Sequence, residues 1–329
     1  MLAATAFAAT PHRGRTLHVR PGDSVQAAVD AVGGPGWTIV VHPGTYREVV
    51  NIPANAAELT IRGADRTTAS DAVIVHDNAN GTVKPDGSGT YGTAGSATFT
   101  SAAPGLTVRG LTLANDWLRA DHPDITGTQA VAAYVTGDRS LFDGVRFLAH
   151  QDTLFADTTA LDSFDRQYYR NCHIEGDVDF VFGRARAVFE RCRLHTLARD
   201  VDFTPKGMVF APATARANPY GFLAARCRIT SGAEDAAYKI ARPWVPTYET
   251  TAWPSLVVRD TWIGPGIDPV TPYTTMRDAY PWQSMRFAEY RNSGPGAVIS
   301  VPGNRPQLTA DRAAEHTRAT YLGDWRPHA

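Results

Sequence analysis

The sequence predicts an all-β solenoid whose successive coils add strands to parallel sheets. A recurring strand motif of variable spacing, a high content of turn residues and little helical periodicity carry that prediction. Leu59-Thr60-Ile61-Arg62-Gly63 is echoed by Leu106-Thr107-Val108-Arg109-Gly110, and looser copies follow. Aligned turn positions are Gly110, Gly144, Asn171, Arg191, Arg226 and Asp260, each leading into an apolar-polar-apolar triplet such as Cys172-His173-Ile174. The steps are 34, 27, 20, 35 and 34 residues, so the strand pattern is constant while insertions emerge as loops. A propeller would keep a tighter period. The 28 Gly and 22 Pro supply tight turns between short elements.

One helix is persuasive. Ser24 is placed to cap Val25 to Val32, with Val25, Ala28, Val29 and Val32 on one face. Such a helix covers the first coil, whose open edge would otherwise expose unpaired backbone groups. A second, weaker helix is expected over Asp311 to Thr320. Residues 1–15 read as an export-signal remnant or a disordered tail. Met1 to Ala9 is small and apolar with an Ala6-Phe7-Ala8 run, but lacks a basic start, and a frayed terminus has the same composition. No linker divides residues 16–329, which read as a single domain.

With 32 basic and 33 acidic residues, no polybasic face points to nucleic acid, and no apolar run approaches the roughly 18 residues of a membrane span. Three cysteines are too few for a disulfide scaffold and lack the close pairing of a zinc site. Cys172 and Cys192 each follow an aligned turn. A bridge between them is therefore expected, with a reduced ladder in the core as the alternative.

Two aspartates occupy matching places in consecutive repeats: Asp152 lies eight residues after Gly144, and Asp179 eight after Asn171. Neighbouring coils lie about 4.8 Å apart, so the carboxylates are expected to stack, with one pKa rising at the other's expense. Two exposed turn residues would show the same spacing. Asp179, however, is embedded in Asp177-Val178-Asp179-Phe180-Val181-Phe182-Gly183, where a charge needs a partner. Arg242, before Pro243-Trp244, has the planar fork to supply it, and Gln129 and Gln151 are neutral amide donors suited to an oxyanion. Each alone is more often a solvated side chain. None of the ten histidines, His150 and His173 included, falls into a serine-histidine-acid or metal-ligand spacing.

Together these residues resemble the pectin methylesterases of the carbohydrate-esterase type. The resemblance runs from Gly44-Thr45-Tyr46-Arg47-Glu48 through Gln129-Ala130-Val131-Ala132, Gln151-Asp152-Thr153-Leu154 and Tyr168 to Gly183. It resumes at Arg242-Pro243-Trp244, Phe287-Ala288-Glu289-Tyr290, Asn292-Ser293-Gly294-Pro295-Gly296 and Tyr321-Leu322 with Asp324-Trp325. Single matches are weak, but the ordered set is specific. It implies a right-handed parallel β-helix with an N-terminal capping helix and an active cleft along its outside. It implies Asp179 as nucleophile, Asp152 as acid then base, Gln129 and Gln151 as oxyanion donors, and Arg242 orienting Asp179. Trp244, Phe155, Phe182 and Val178 would line the cleft. Alternation alone puts Phe182 beside Phe180 on the inner face, so its cleft role requires Gly183 to bend the chain.

The resemblance further implies methylated homogalacturonan as substrate, no cofactor or metal, no nucleic-acid or membrane partner, a monomer, and a secreted protein. Two departures stand out: Ala241 replaces the usual glycine before Arg242, and Phe210-Ala211-Pro212-Ala213 replaces a glutamine-glycine run, a bacterial-like trait. The rivals are a β-helix enzyme that cleaves the polymer chain, for which Asp177 is the one candidate calcium ligand, and a solenoid with a different ester or a binding role.

Overall fold

The chain winds as a right-handed parallel β-helix, seen here in a computed structural model that describes residues 14–65 and 68–327. Met1 to Ala9 lies outside the described residues. Three parallel sheets form the walls. A ten-stranded sheet runs from Thr16–Val19 to Arg286–Tyr290, an eight-stranded sheet from Gly44–Arg47 to Trp262–Ile263, and a seven-stranded sheet from Val50–Ile52 to Tyr238–Ala241. Each central coil gives one strand to each sheet, because residues with the same pattern fall in the same register. Inside, Phe142, Tyr169 and Phe189 pair in register and stack at ring-centroid distances of 5.0 and 4.9 Å. On the outside of the same strands, Leu141, Tyr168, Val188, Leu223 and Val257 form a second apolar row that Tyr321 and Leu322 cover.

The aligned turns are the corners between the ten- and eight-stranded sheets. Gly110, Gly144, Asn171, Arg191, Arg226 and Asp260 all have positive φ, between 49° and 64°. The N–H of each donates to a carbonyl on the following coil, from Gly110 to Asp143 through Asp260 to Tyr290. Holding a non-glycine residue there costs ~1–2 kcal/mol each, offset by an otherwise missing ladder hydrogen bond.

The expected disulfide is not formed. Cys172, Cys192 and Cys227 are free, buried, and stacked one per coil just after the turns. Their Sγ atoms donate instead to the carbonyls of Arg170, Tyr169 and Phe189 at 3.3, 3.4 and 3.3 Å. In-register strands about 4.8 Å apart carry parallel Cβ vectors, which exceeds the ~3.8 Å Cβ separation a bridge favours.

Both ends of the helix are closed. The helix Val25–Asp30 is capped as expected, Ser24 Oγ accepting from Ala27 N at 3.0 Å, but it ends two residues early, ahead of Gly33-Gly34. Glu48 adds a second cap by accepting from Val25 N and Gln26 N, which gives the Gly44–Glu48 motif a structural task. The expected C-terminal helix is two, Ala310–Glu315 and Arg318–Leu322, because Thr317 is extended and starts a new cap on Thr320 N. At this end Arg305, fully buried, pairs with Glu289 at 2.7 Å. Glu289 also accepts from Tyr273 Oη and Asn292 Nδ2.

Arg305→Ala leaves Glu289 buried and unpaired, so urea unfolding should show a loss of ~3–5 kcal/mol. Replacing both partners together, as Arg305→Met with Glu289→Leu, should recover most of that loss; an equally severe double variant would show that packing, not charge, sets the cost.

Candidate active site

The site is built on the outer face of the seven-stranded sheet from register. Leu154 pairs with Val181 and Phe155 with Phe182, so Asp152 and Asp179, each two residues before the first of these pairs, fall at the same level on adjacent coils. Both have positive φ, 65° and 50°. Asp152 N donates to the carbonyl of Val178 at 3.0 Å, locking the two coils together beside the carboxylates. Such backbone in non-glycine residues marks a position held by its surroundings for a purpose other than strand propensity.

At Asp179 the strand also bulges: Val178 pairs with Met208 but Val181 with Phe210, so one extra residue is accommodated between them. This changes which face each side chain takes. Phe180 and Val181 enter the central core, whereas Phe182 joins an outer cluster with Phe155. The expected bend at Gly183 is therefore corrected to a bulge at Asp179. Gly183 has a different role, since a Cβ there would lie 2.1 Å from the Ala156 carbonyl oxygen.

Arg242 follows the strand Tyr238–Ala241, which lies two strands from that of Asp179, or about 10 Å away at the usual spacing. Its length spans this gap. Nε donates to Asp179 Oδ1 at 2.9 Å and Nη2 to Oδ2 at 2.6 Å, a bidentate pair. The Ala241 methyl points into the central core, so the departure from glycine does not crowd the guanidinium.

Burial pushes the pKa of both aspartates up. Asp152 goes well above its ordinary value, through burial first and the neighbouring Asp179 charge second, with Arg242 only partly opposing. For Asp179 burial is countered more directly, by the charge and hydrogen bonds of Arg242. The arrangement favours a protonated Asp152 beside an ionised Asp179.

Gln151 precedes Asp152, and Gln129 sits one coil earlier, the two linked by Ala130 N donating to the Gln151 carbonyl. No pattern in the sequence shows what holds their side chains. Asn80 Nδ2 donates to Gln129 Oε1 at 2.9 Å, and Thr128 Oγ1 to Gln151 Oε1 at 2.7 Å. With both oxygens occupied, each Nε2 is turned outward as a donor, and neither has a hydrogen-bond partner among the described residues. Asn80 lies in a Gly-rich loop without periodicity, so no sequence signal could have found it.

Trp244 is half-buried over Phe155 and Phe182, with centroids 6.0 and 5.7 Å away. Those two rings stack on each other at 4.2 Å, with Tyr134 continuing the row, and are 6% and 4% exposed. They pack beneath Trp244, so little of either ring is open to the cleft they were expected to line. Ala211 opposite Phe182 leaves room for this packing. Val178 is half-buried on the wall beside Asp179. Asp177 is buried and paired with Arg119, with His150 Nδ1 at 3.5 Å. Burial raises its pKa, but His150 and Arg119 outweigh it and hold it below its ordinary value. Asp177 is thus paired with a guanidinium of the protein, and no cluster of three metal-ligating side chains occurs among the described residues.

The raised pKa of Asp152 has a sign that can be checked. Its folded-state value exceeds the unfolded one, so stability is lost as pH rises through the folded value, and the penalty vanishes below the ordinary aspartate pKa of about 3.9. Asp152→Asn should therefore melt higher than the parent at pH 7, with the difference closing towards pH 4. A gap that stays constant with pH would contradict a costly ionisation at this site.

Residues 20–324 match the family model described as Pectinesterase. A pectinesterase from Ralstonia solanacearum is 33% identical, with 83% of this chain and 76% of the relative covered. Pectinesterase A from Dickeya chrysanthemi is 31% identical, with coverage of 93% and 89%. Among solved structures, a pectin methylesterase in complex with a hexasaccharide superposes with a TM-score of 0.81 at 29% identity, covering 93% of this chain and 94% of that one. The shared β-helix, the ordered motifs and these matches together show that the chain belongs to the pectinesterase family and is a carboxylic ester hydrolase.

Proposed function

We propose that the protein hydrolyses the C6 methyl esters of polygalacturonate through an aspartyl acyl-enzyme, and that it acts outside the cell. The bidentate Arg242–Asp179 pair, one coil from a buried Asp152 with no cation of its own, is the observation that carries this reading. Asp179, kept ionised and aimed by Arg242, attacks the ester carbonyl. Negative charge then develops on the carbonyl oxygen, where the outward amides of Gln129 and Gln151 receive it. Asp152, protonated, gives its proton to the departing methoxide, so the C–O bond to methanol breaks as the acyl bond to Asp179 forms. The ionised Asp152 next takes a proton from water, whose hydroxyl attacks the anhydride and frees Asp179. Methanol and a galacturonate carboxylate are the products. Trp244 and Val178 border the strip where the sugar chain lies. None of the described helices is long and apolar enough to cross a membrane.

The two aspartates differ in what a better leaving group can bypass. An aryl ester of a galacturonate oligomer leaves as phenolate without an acid, so Asp152→Ala should release about one equivalent of phenol and stall, because water activation is still missing. Asp179→Ala should give no burst. A burst from the Asp179 variant would reverse the roles, and steady turnover by the Asp152 variant would mean direct attack by water. Reducing ends or unsaturated products formed from methylated pectin, without methanol, would replace this reading with chain cleavage.

Thr128 should matter through Gln151 alone. Thr128→Val removes the donor to Oε1 and frees the amide to rotate, so kcat should fall about tenfold with KM little changed, and Thr128→Ser should restore it. A rise in KM at unchanged kcat would instead make Thr128 a substrate contact.

A further inference from the structure

A second ordered array lies away from the cleft, on the eight-stranded sheet. The outward first residues of five consecutive strands, Arg146, His173, Arg193, Arg228 and Trp262, pair in register from coil to coil. Two more arginines, Arg191 and Arg226, occupy the turns immediately before Arg193 and Arg228, and all four are exposed. The Arg228 guanidinium carbon lies over the Trp262 ring, 3.9 Å from its centroid, Arg193 Nε donates to Thr230 Oγ1 at 3.2 Å, and Arg226 reaches Glu190 at 3.0 Å. Arg146 and Arg191 form no ion pair among the described residues.

The carboxylates nearby offset only part of this array. Glu175 is held by His173 at 2.7 Å, Asp143 by Arg170 at 2.7 Å, and Asp260 by Arg259 at 2.9 Å. Beyond the turns, a cavity of about 510 Å³ under His316 to Ala319 adds Arg259 and Arg318 to the same basic surface, with Glu190 and Asp260 as its acids. The whole chain carries a formal charge of −1, yet Arg191, Arg193, Arg226 and Arg228 are grouped and exposed here. Like charges directly opposite on neighbouring strands destabilise a sheet, and Arg193 faces Arg228 in that way. An array that costs stability, and in which Arg146, Arg191, Arg193 and Arg228 form no ion pair among the described residues, is suited to an external anion.

We infer that this strip binds de-esterified galacturonan, the polyanion that the proposed reaction produces, at a place separate from the cleft. The inference rests on that reading of the function. An extended polyuronate offers one carboxylate per sugar in a linear series, and the strip offers Arg193 and Arg228 on neighbouring strands about 4.8 Å apart, with Arg146 two strands further along. Each exposed guanidinium can take a carboxylate by two hydrogen bonds. A methylated stretch lacks the charges and is not held. The strip thus tethers the enzyme to regions already processed and leaves the cleft free for ester-bearing sugars.

The test compares the parent with Arg193→Ala/Arg228→Ala, both exposed positions, on immobilised polygalacturonate and on immobilised duplex DNA, over a salt gradient. The double variant should elute from polygalacturonate at lower salt and bind soluble polygalacturonate about tenfold more weakly at 50 mM salt. Its methanol release from short methylated oligomers should equal the parent's. Unchanged retention would overturn the inference, and so would parent retention on DNA as strong as on polygalacturonate, which would make the strip a general polyanion surface. Failure of the functional reading is a separate result, no methanol from the parent on any methylated oligomer, whatever the columns show.

Discussion

Coil-to-coil register is the constraint on which everything else in this protein depends. Each parallel strand places its side chains one strand spacing from those of its neighbour, so a residue type repeated at the right offset becomes a row. The aromatic stack inside, the cysteine row, the arginine strip and the paired aspartates are four uses of that single rule. A slip by one residue would exchange inside for outside along a whole strand, which is why the corners are fixed so firmly by backbone hydrogen bonds from left-handed residues.

The reactive centre departs from the rule where chemistry requires it. Asp152, in the turn just before its strand, and Asp179, within its strand, take left-handed backbone, and the strand of Asp179 carries an extra residue. The result is a carboxylate projecting from the wall at a point where a regular strand would bury an apolar side chain. The surrounding core over-determines this geometry: Phe180 and Val181 are both drawn inward, and Gly176 lies so close to the Phe180 side chain and the His150 carbonyl that a Cβ would collide with them. Rigid packing then lets two buried acids sit side by side at unequal pKa, a state that water would level.

Much of this was legible in the sequence, for identifiable reasons. The turn row was readable because only a few residue types tolerate its backbone, and the aspartate pair because both lie eight residues from that row. Arg242 was different. It is 63 residues from Asp179 and reaches it across an intervening strand, so no local pattern connects them; the need of a carboxylate in apolar surroundings for a cation made Arg242 a candidate, and the family resemblance gave its orienting role. The face of Phe182 was misassigned to a bend at Gly183, since alternation counts residues and a bulge adds one silently. The cysteines were aligned correctly and bridged wrongly, because register sets which residues are neighbours but not whether their Cβ atoms converge. Glu289 and the Asn292–Gly296 segment, which helped to identify the family, serve the C-terminal closure and not the chemistry.

The reach of Arg242 sets a gauge for the solenoid. Between Asp179 and Arg242 the chain makes loops of unequal length, and each can grow outward without moving the strands. A whole additional coil is another matter, because it would carry the guanidinium one spacing further from its carboxylate than the side chain extends. Divergence in this region is therefore free in residues and quantised in turns: length can drift by any amount that leaves one strand, Gly207–Pro212, between the two partners.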